Sequence, residues 1–418
     1  MHMPRFLFLA SLGLLGACTP PSSSTPQADG AALDGLDAGQ APPDAATLPD
    51  AAVATQPDAS FVADAAASFV DAALPVDAAV TPDAGAPTRD AGMMDAAAPP
   101  DAAGPSTLDP QRLLHAQDGQ LVHADGRAMD FRGAISCCGG AMGWPLYDES
   151  WVDLVEGFNF NTLHVRLGPF LTGANGESDW AGVGGGYVET NGKADLSQFN
   201  EVFWARVRQL LTYARDRGFY VEVDVVDAWA VKHCQWGDLP GYSAWDATFN
   251  HQAQDWCTGT GSVAIAPGSV VDRWVRKVVL ETGRFDNVIY QDGNEVSLVA
   301  DYSAAYTASM ATILHDEETL HGYPRHLFGT QSDDAEAMAL ADVDFLEFHQ
   351  NNALDPNRCL GKPCLVNEYN PNPSLTPAQL HQRYCTARSN GTYFWYWRHG
   401  QDQAAMVETL GLIGAGCP

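Results

Sequence analysis

A long stretch of this chain of 418 residues is defined by the residue types it lacks. Residues 19–107 contain no Glu, no Lys and a single basic residue, Arg89, beside 13 Asp. They also hold few large apolar side chains, so folding would bury too little surface to offset the entropy cost of ordering. We therefore predict a disordered linker over 19–107, rich in Ala, Asp and Pro, and one folded domain over 108–418.

Basic residues are scarce throughout, with 22 Lys and Arg against 52 Asp and Glu and a net charge of −30. Such a surface repels phosphate backbones, which excludes nucleic acid as an expected partner. The acidity selects no other partner, because net charge bears on solubility more than on fold or function.

No apolar run near the amino terminus is long enough to span a membrane. The run Phe6 to Leu15 follows Arg5 and falls short of the roughly 20 residues that a span needs. A basic start, a short apolar core and the small residues Gly16 and Ala17 predict a secretory signal over residues 1–18.

The segment Leu15 to Cys18 resembles the lipobox of bacterial lipoproteins. This resemblance implies cleavage before Cys18 and acylation of that residue, so the membrane becomes a partner through a lipid anchor. Thr19, which is not Asp, implies the outer membrane, with a periplasmic or surface-exposed domain. The alternative is a simple cleaved signal with an incidental cysteine.

The folded domain lacks the cysteine and histidine spacings of common metal sites. No Cys-x-x-Cys or His-x-x-x-His occurs, so we expect no metal, and the chemistry considered below requires no cofactor. Eight cysteines besides Cys18 predict up to four disulfides in an exported domain. Two local pairs are plausible, Cys234 with Cys257 and Cys359 with Cys364, whereas the pairing of Cys137, Cys138, Cys385 and Cys417 stays open.

From residue 113 onward, short apolar strands alternate with helical stretches, which is typical of a parallel α/β protein. Asp118-Gly119 and Asp125-Gly126 predict turns of a small β-ribbon before the first strand. Eight strands are predicted: Asp130 to Ser136, Thr162 to Arg166, Tyr220 to Val226, Asn287 to Gln291, His326 to Gly329, Phe345 to Phe348, Pro363 to Asn367 and Tyr393 to Trp397. Helices are predicted at Phe199 to Arg217, Val270 to Thr282, Tyr302 to His321 and Pro377 to Ser389. We predict a closed (β/α)8 TIM barrel; the alternative, an open doubly wound sheet, lacks a Gly-x-Gly-x-x-Gly loop after the first strand.

Active residues of such barrels lie at the carboxyl ends of the strands. Those ends hold Ser136, Arg166, Asp227 with Trp229, Asn294 with Glu295, Asp333, His349, Glu368 with Tyr369, and Trp395 with Trp397. Glu295 and Glu368 each follow an apolar strand. Either one alone could be a salt-bridged residue at a strand end.

Together the two glutamates resemble clan A of the glycoside hydrolases, especially the family-five cellulases and mannanases. In that clan Asn-Glu ends strand four and a Glu ends strand seven, which corresponds here to Asn294-Glu295 and Glu368. The resemblance implies a retaining enzyme acting on a carbohydrate of β-glucan or β-mannan type, with Glu295 as acid/base and Glu368 as nucleophile. Asn294 would hold the sugar 2-hydroxyl. We expect a monomer.

Further positions follow the same resemblance. Arg166 matches the strand-two Arg that braces the nucleophile, and His349 matches the strand-six His. The segment Gly391 to Gly400 resembles the strand that carries a sugar-stacking Trp, for which Trp395 fits best and Trp397 second.

Three positions depart from the family pattern. Asp227, followed by Ala228 and Trp229, replaces a His after strand three, Val296 replaces a Pro, and Asn351 replaces a Tyr. Tyr369 could orient the nucleophile instead. Trp229 opens an insertion, up to Pro267, that we expect to form a wall of the cleft.

Two other functions are compatible with the same sequence. One is a non-catalytic carbohydrate-binding lipoprotein, which the altered positions favour slightly. The other is a metal-dependent esterase or deacetylase, which would need a ligand cluster from residues such as His233, His349 and Asp227.

Overall fold

The computed structural model describes residues 108–135, 149–172, 184–228, 243–257, 261–296, 302–349, 356–367, 375–396 and 403–418. All of them belong to the second of two units, Ala91–Pro418. The predicted signal, Cys18 and the predicted linker lie outside the described residues, so these predictions stay predictions.

The strands are short and mostly apolar. In chain order they are β1 (Leu114–Gln117), β2 (Gln120–His123), β3 (Gly133–Ile135), β4 (Thr162–Arg166), β5 (Tyr187–Thr190), β6 (Lys193–Phe199), β7 (Tyr220–Asp224), β8 (Val288–Gln291), β9 (Phe328–Thr330), β10 (Phe345–His349), β11 (Cys364–Asn367) and β12 (Thr392–Tyr396). Eight of them form a closed parallel barrel in the order β10-β11-β12-β3-β4-β7-β8-β9. The predicted (β/α)8 barrel is therefore confirmed, and each barrel strand overlaps one of the eight predicted segments.

The ribbon β1–β2 is also confirmed. Its two strands pair antiparallel through a turn at Asp118 and Gly119, both with positive φ. Leu114 and Leu121 of the ribbon belong to the same buried cluster as barrel-interior residues such as Trp395. The ribbon thus contributes apolar side chains to the barrel interior.

A second ribbon, β5–β6, was not predicted. Tyr187–Thr190 pairs antiparallel with Lys193–Phe199 through Asn191 and Gly192, whose φ values are 53° and 72°. Asn-Gly is a strong hairpin signal, so the sequence carries the information for this ribbon. The predicted helix that begins at Phe199 instead begins at Glu201, because Phe199 ends β6.

Helices follow most barrel strands. They are α1 (Glu149–Gly157), α2 (Glu201–Asp216), α3 (Val270–Thr282), α4 (Ala304–His321), α5 (Ala335–Met338), α6 (Pro377–Ser389) and α7 (Gln403–Gly414), with a 3₁₀ turn at Pro356–Cys359. Two of them, α3 and α6, have the predicted bounds. The Ser269 side chain caps α3, and Thr376 forms a capping box with Gln379 at the start of α6, which fixes where each helix begins. Among the described helices none is long and apolar enough to cross a bilayer.

The layer between barrel and helices is centred on Trp274 of α3, which is fully buried. Its indole N–H donates a hydrogen bond to the carbonyl of Val225, 2.8 Å away. Trp204 and Tyr187 contact the same ring. Helix α3 is therefore attached by both packing and a hydrogen bond to the end of β7.

Disulfides join two pairs of described cysteines. Cys359–Cys364 confirms one predicted pair, and Cys385–Cys417 is a pair that the sequence left open. Cys257 is also disulfide-bonded. Its predicted partner Cys234 lies outside the described residues, as do Cys137 and Cys138.

Candidate active site

The interior of the barrel changes from apolar to polar along its axis. Because side chains alternate along a strand, every second residue points inward. Tyr220, Ile289 and Phe345 share the apolar cluster with the β1–β2 ribbon. Two or more residues further along β7, β8 and β10, and in β4, which neighbours β7, the buried side chains on the same face are polar or charged: His164, Arg166, Glu222, Asp224, Gln291 and Glu347.

The segment that follows β8, Asp292 to Glu295, is held by several buried contacts. The Asp292 carboxylate accepts hydrogen bonds from Thr307 and Thr330 and from the backbone N–H of Gln331. Burial raises the pKa of Asp292 to about 7. At Gly293 a Cβ would lie 2.1 Å from the carbonyl oxygen of Val226, so only glycine lets the chain pass here.

Asn294 is joined to the end of β7. Its side-chain amide donates to Asp227 Oδ2 over 3.4 Å, and its backbone carbonyl accepts from the backbone N–H of Ala228. Both Asn294 and Asp227 are fully buried. Asp227, which replaces the histidine of the family pattern, therefore holds the asparagine that precedes the candidate acid.

Glu295 is the partly exposed residue of the segment that follows β8, and it lies between the buried Asn294 and Val296. Its φ of 57° lies in the left-handed region, which non-glycine residues rarely adopt. The backbone N–H of Glu295 donates to Gln331 Oε1 over 2.5 Å. Thus the fold places the predicted acid/base at the carboxyl end of the fourth barrel strand, as expected.

Gln331 was missed by the sequence analysis, which named Asp333 at the end of β9. Asp333 is exposed and pairs with Arg358. Gln331 is buried and donates from Nε2 to Glu347 Oε1 over 3.0 Å. A glutamine that will be buried cannot be recognised from the sequence. Asp333, by contrast, has a carboxylate, the kind of group expected at the end of a barrel strand.

A carboxyl pair, Glu222 and Glu347, lies buried inside the barrel. Burial, and next the charge of Glu347, raise the pKa of Glu222 well above its usual value. Burial likewise raises the pKa of Glu347. The charge of Glu347 opposes ionisation of Glu222, which favours a proton on Glu222.

His164 and Asp224 lie beside this pair. His164 Nε2 is 2.9 Å from Asp224 Oδ1 and 3.7 Å from Glu222 Oε1. Ligand atoms of these three residues all lie within 4.8 Å of one another, a spacing that could hold a cation. The Arg166 guanidinium already pairs with Asp224, however, so a cation is not needed to balance that carboxylate.

Arg166 is buried at the end of β4, and its Nε lies 4.0 Å from Asp224 Oδ2. Asp224 therefore helps to hold the guanidinium in place. Glu368, the predicted partner of Arg166, lies outside the described residues, and so do Tyr369, Trp229 and Trp397. The predicted contact between Arg166 and Glu368 therefore stays a prediction.

For His349 and Asn367 the structure describes the backbone. They pair in register between β10 and β11. The residue before Glu368 is thus adjacent to the strand end that carries His349, as expected for neighbouring strands six and seven.

Trp395 has no exposed surface. Its ring contacts Phe131 edge-on at 4.8 Å and His164 at 5.4 Å between ring centroids. This burial corrects the stacking role predicted for Trp395, because a sugar needs an exposed ring face. The prediction then depends on Trp397.

No family model and no curated protein matches the chain. Solved structures do match. A glycoside hydrolase family 5 mannosidase from Rhizomucor miehei is 13% identical over 73% of this chain and 98% of its own, with a TM-score of 0.46. An endo-1,4-β-mannanase from the same organism is 11% identical over 72% of this chain and 99% of its own, with a TM-score of 0.45.

A glycoside hydrolase family 5 protein from Bacteroides vulgatus ATCC 8482 is 12% identical over 73% of this chain and 70% of its own, with a TM-score of 0.46. The chain spans 56% and 65% of two further matched chains that are named as glycoside hydrolases. Identities this low bear on the fold alone, and the barrel fold already follows from the closed sheet.

Proposed function

We propose that the chain is a retaining glycoside hydrolase that cleaves O-glycosidic bonds of a β-glucan or a β-mannan. One observation carries the proposal. Glu295 is partly exposed and is the fourth residue after the buried strand β8, at the end of the barrel where enzymes of this fold place their catalytic groups.

In the proposed mechanism Glu295 donates a proton to the leaving oxygen while Glu368 attacks the anomeric carbon. The bond to the leaving group breaks as the bond to Glu368 forms. Glu295 then removes a proton from water while the water oxygen attacks the anomeric carbon and the bond to Glu368 breaks, which releases the sugar with retained configuration. Arg166 favours the ionised form of Glu368, and Asn294, held by Asp227, supports the sugar 2-hydroxyl.

We further propose that the domain is attached to the outer membrane through a lipid on Cys18. The lipobox-like sequence Leu15 to Cys18 and the long polar segment after it support this location. Such a linker would let the domain reach glycan at a distance from the membrane.

The test is a substrate screen with the purified chain, using β-glucans, β-mannans, xylans and aryl β-glycosides. Release of reducing ends from a β-glucan or β-mannan is expected. Glycan binding without turnover would favour the non-catalytic alternative. Neither binding nor turnover on any of these glycans would refute the proposal.

A further inference from the structure

We propose that Gln331 is a positioning residue for Glu295, and that Glu347 in turn orients the amide of Gln331. The inference rests on the proposed function, because it concerns how Glu295 is held as a proton donor. Gln331 lies directly after β9 and Glu347 lies within β10, so the contact joins three successive barrel strands.

The need for a positioning contact comes from the backbone of Glu295. A φ of 57° brings Cβ close to the following carbonyl, and an L-residue leaves this conformation unless its surroundings hold it. The direction of the Glu295 side chain depends on that backbone angle. The hydrogen bond from its N–H to Gln331 Oε1 holds the backbone at this residue.

The orientation of the Gln331 amide is determined by its partners. The N–H of Glu295 can only donate, so Oε1 must face it, and Nε2 then donates to Glu347 Oε1. The backbone N–H of Gln331 donates to Asp292 Oδ1 over 3.1 Å. With Gln331 only 1% exposed, water does not compete for these bonds.

A side chain at position 331 must therefore both accept and donate. Gln331→Met keeps the length of the side chain and removes both the hydrogen-bond acceptor and the donor. Gln331→Glu keeps the acceptor for Glu295 but cannot donate, and its charge would face Glu347. Glu347→Gln retains a carbonyl acceptor for Gln331 and a donor toward Glu222, so it is the conservative variant.

The first measurement is hydrogen exchange in the full chain, resolved at the amide of Glu295 by fragmentation of its peptide. Gln331→Met should speed this exchange at least about tenfold, whereas Glu347→Gln should leave it slow. The matched control is Gln291→Met, which removes another buried amide from the adjacent strand β8 and should not change exchange at Glu295. Unchanged exchange in Gln331→Met would overturn the proposal.

The second measurement compares kcat/KM for phenyl and 2,4-dinitrophenyl β-mannosides and β-glucosides. A misplaced acid slows cleavage of the phenyl glycoside, because phenol is a poor leaving group that needs a proton. It hardly slows cleavage of the dinitrophenyl glycoside, because dinitrophenolate leaves without a proton. Gln331→Met and Gln331→Glu should thus lose at least about tenfold more activity on the phenyl glycoside than on the dinitrophenyl glycoside. Glu347→Gln should keep the wild-type ratio of kcat/KM on the two glycosides. Equal losses on both glycosides would refute a role in positioning the acid.

Inactivity of the wild-type chain on all glycosides and glycans would refute the proposed function instead. The exchange measurement needs no substrate and would then still decide whether Gln331 holds the Glu295 backbone.

Discussion

His164 Nε2 lies 2.9 Å from Asp224 Oδ1, and both side chains are fully buried in the barrel. Burial lowers the pKa of His164 to about 3, with the charge of Glu347 opposing the shift and that of Arg166 adding to it. The folded protein therefore keeps a neutral imidazole in the pH range where an unfolded chain takes up the proton.

This difference predicts acid sensitivity. The stability contributed by a neutral His164 is complete above the ordinary pKa of 6.5 and is lost as the pH falls from there toward 3. His164→Gln keeps an N–H donor for Asp224 without titrating. Its unfolding free energy, measured in urea at about pH 7 and about pH 4.5, should fall less than that of the wild type.

The exposed His115 provides the control. His115→Gln should follow the wild-type dependence on pH. An equally steep fall in His164→Gln would contradict the role assigned to the buried imidazole.

Gly293→Ala should destabilise the protein and reduce activity. A Cβ there would lie 2.1 Å from the Val226 carbonyl oxygen. The segment that follows β8 must therefore shift, and Asn294 and Glu295 move with it. We expect a loss of about 1–3 kcal/mol in urea unfolding. Gly157→Ala is the matched control, because no atom lies within 4 Å of its added Cβ, and it should be close to neutral.

The two proposed catalytic glutamates should respond differently to substitution. Glu368→Ala should lower kcat by about three orders of magnitude or more on every substrate, because no covalent intermediate can form. Glu295→Ala should still react with dinitrophenyl glycosides, and azide should yield a glycosyl azide of retained configuration. Full activity of Glu368→Ala would exclude the mechanism.

Cys18→Ala should release the protein from the membrane fraction or block its processing, since the proposed anchor depends on that thiol. Fractionation of cells followed by mass spectrometry of the amino terminus measures both effects. Normal processing together with unchanged membrane association would rule out the lipid anchor.

The disulfide Cys385–Cys417 should contribute more stability than Cys359–Cys364. It closes a loop with a sequence separation of 32, against 5 for the other. Loop-closure entropy gives about 3–4 kcal/mol for the first and about 2 kcal/mol for the second. Paired Cys→Ser variants compared by urea unfolding measure the difference, and a larger loss at Cys359–Cys364 would contradict the entropic account.

The sequence was sufficient for the barrel because short, mostly apolar strand segments alternate along it with helical stretches. The bounds of α3 and α6, which Ser269 and Thr376 cap, were predicted as observed, whereas α2 and α4, capped by Asn200 and Ser303, begin two residues later than predicted. The β5–β6 ribbon was missed although Asn191-Gly192 marks its turn, because its alternating polar residues resemble a loop within a barrel pattern.

The candidate site was partly predictable. Glu295, Asn294 and Arg166 follow apolar strands, and strand ends meet at one edge of a parallel barrel. Glu222, Glu347 and His164 lie within strands, where sequence alone does not show which charged residues face inward and meet. Trp395 is a residue type that stacks on sugars. It lies within β12, however, and its side chain belongs to the buried apolar cluster inside the barrel.

Closure of the barrel depends on the pairing of β12 with β3, in which Trp395 is opposite Gly133. The first and last barrel strands must therefore both be present before the ring can form. During synthesis the nascent chain can build a curved sheet, but that sheet has two open edges until β12 emerges near the carboxyl terminus. A chain truncated before Thr392 would keep those edges, which are templates for pairing with other chains. Premature termination should accordingly produce aggregates rather than a shortened, partly active protein.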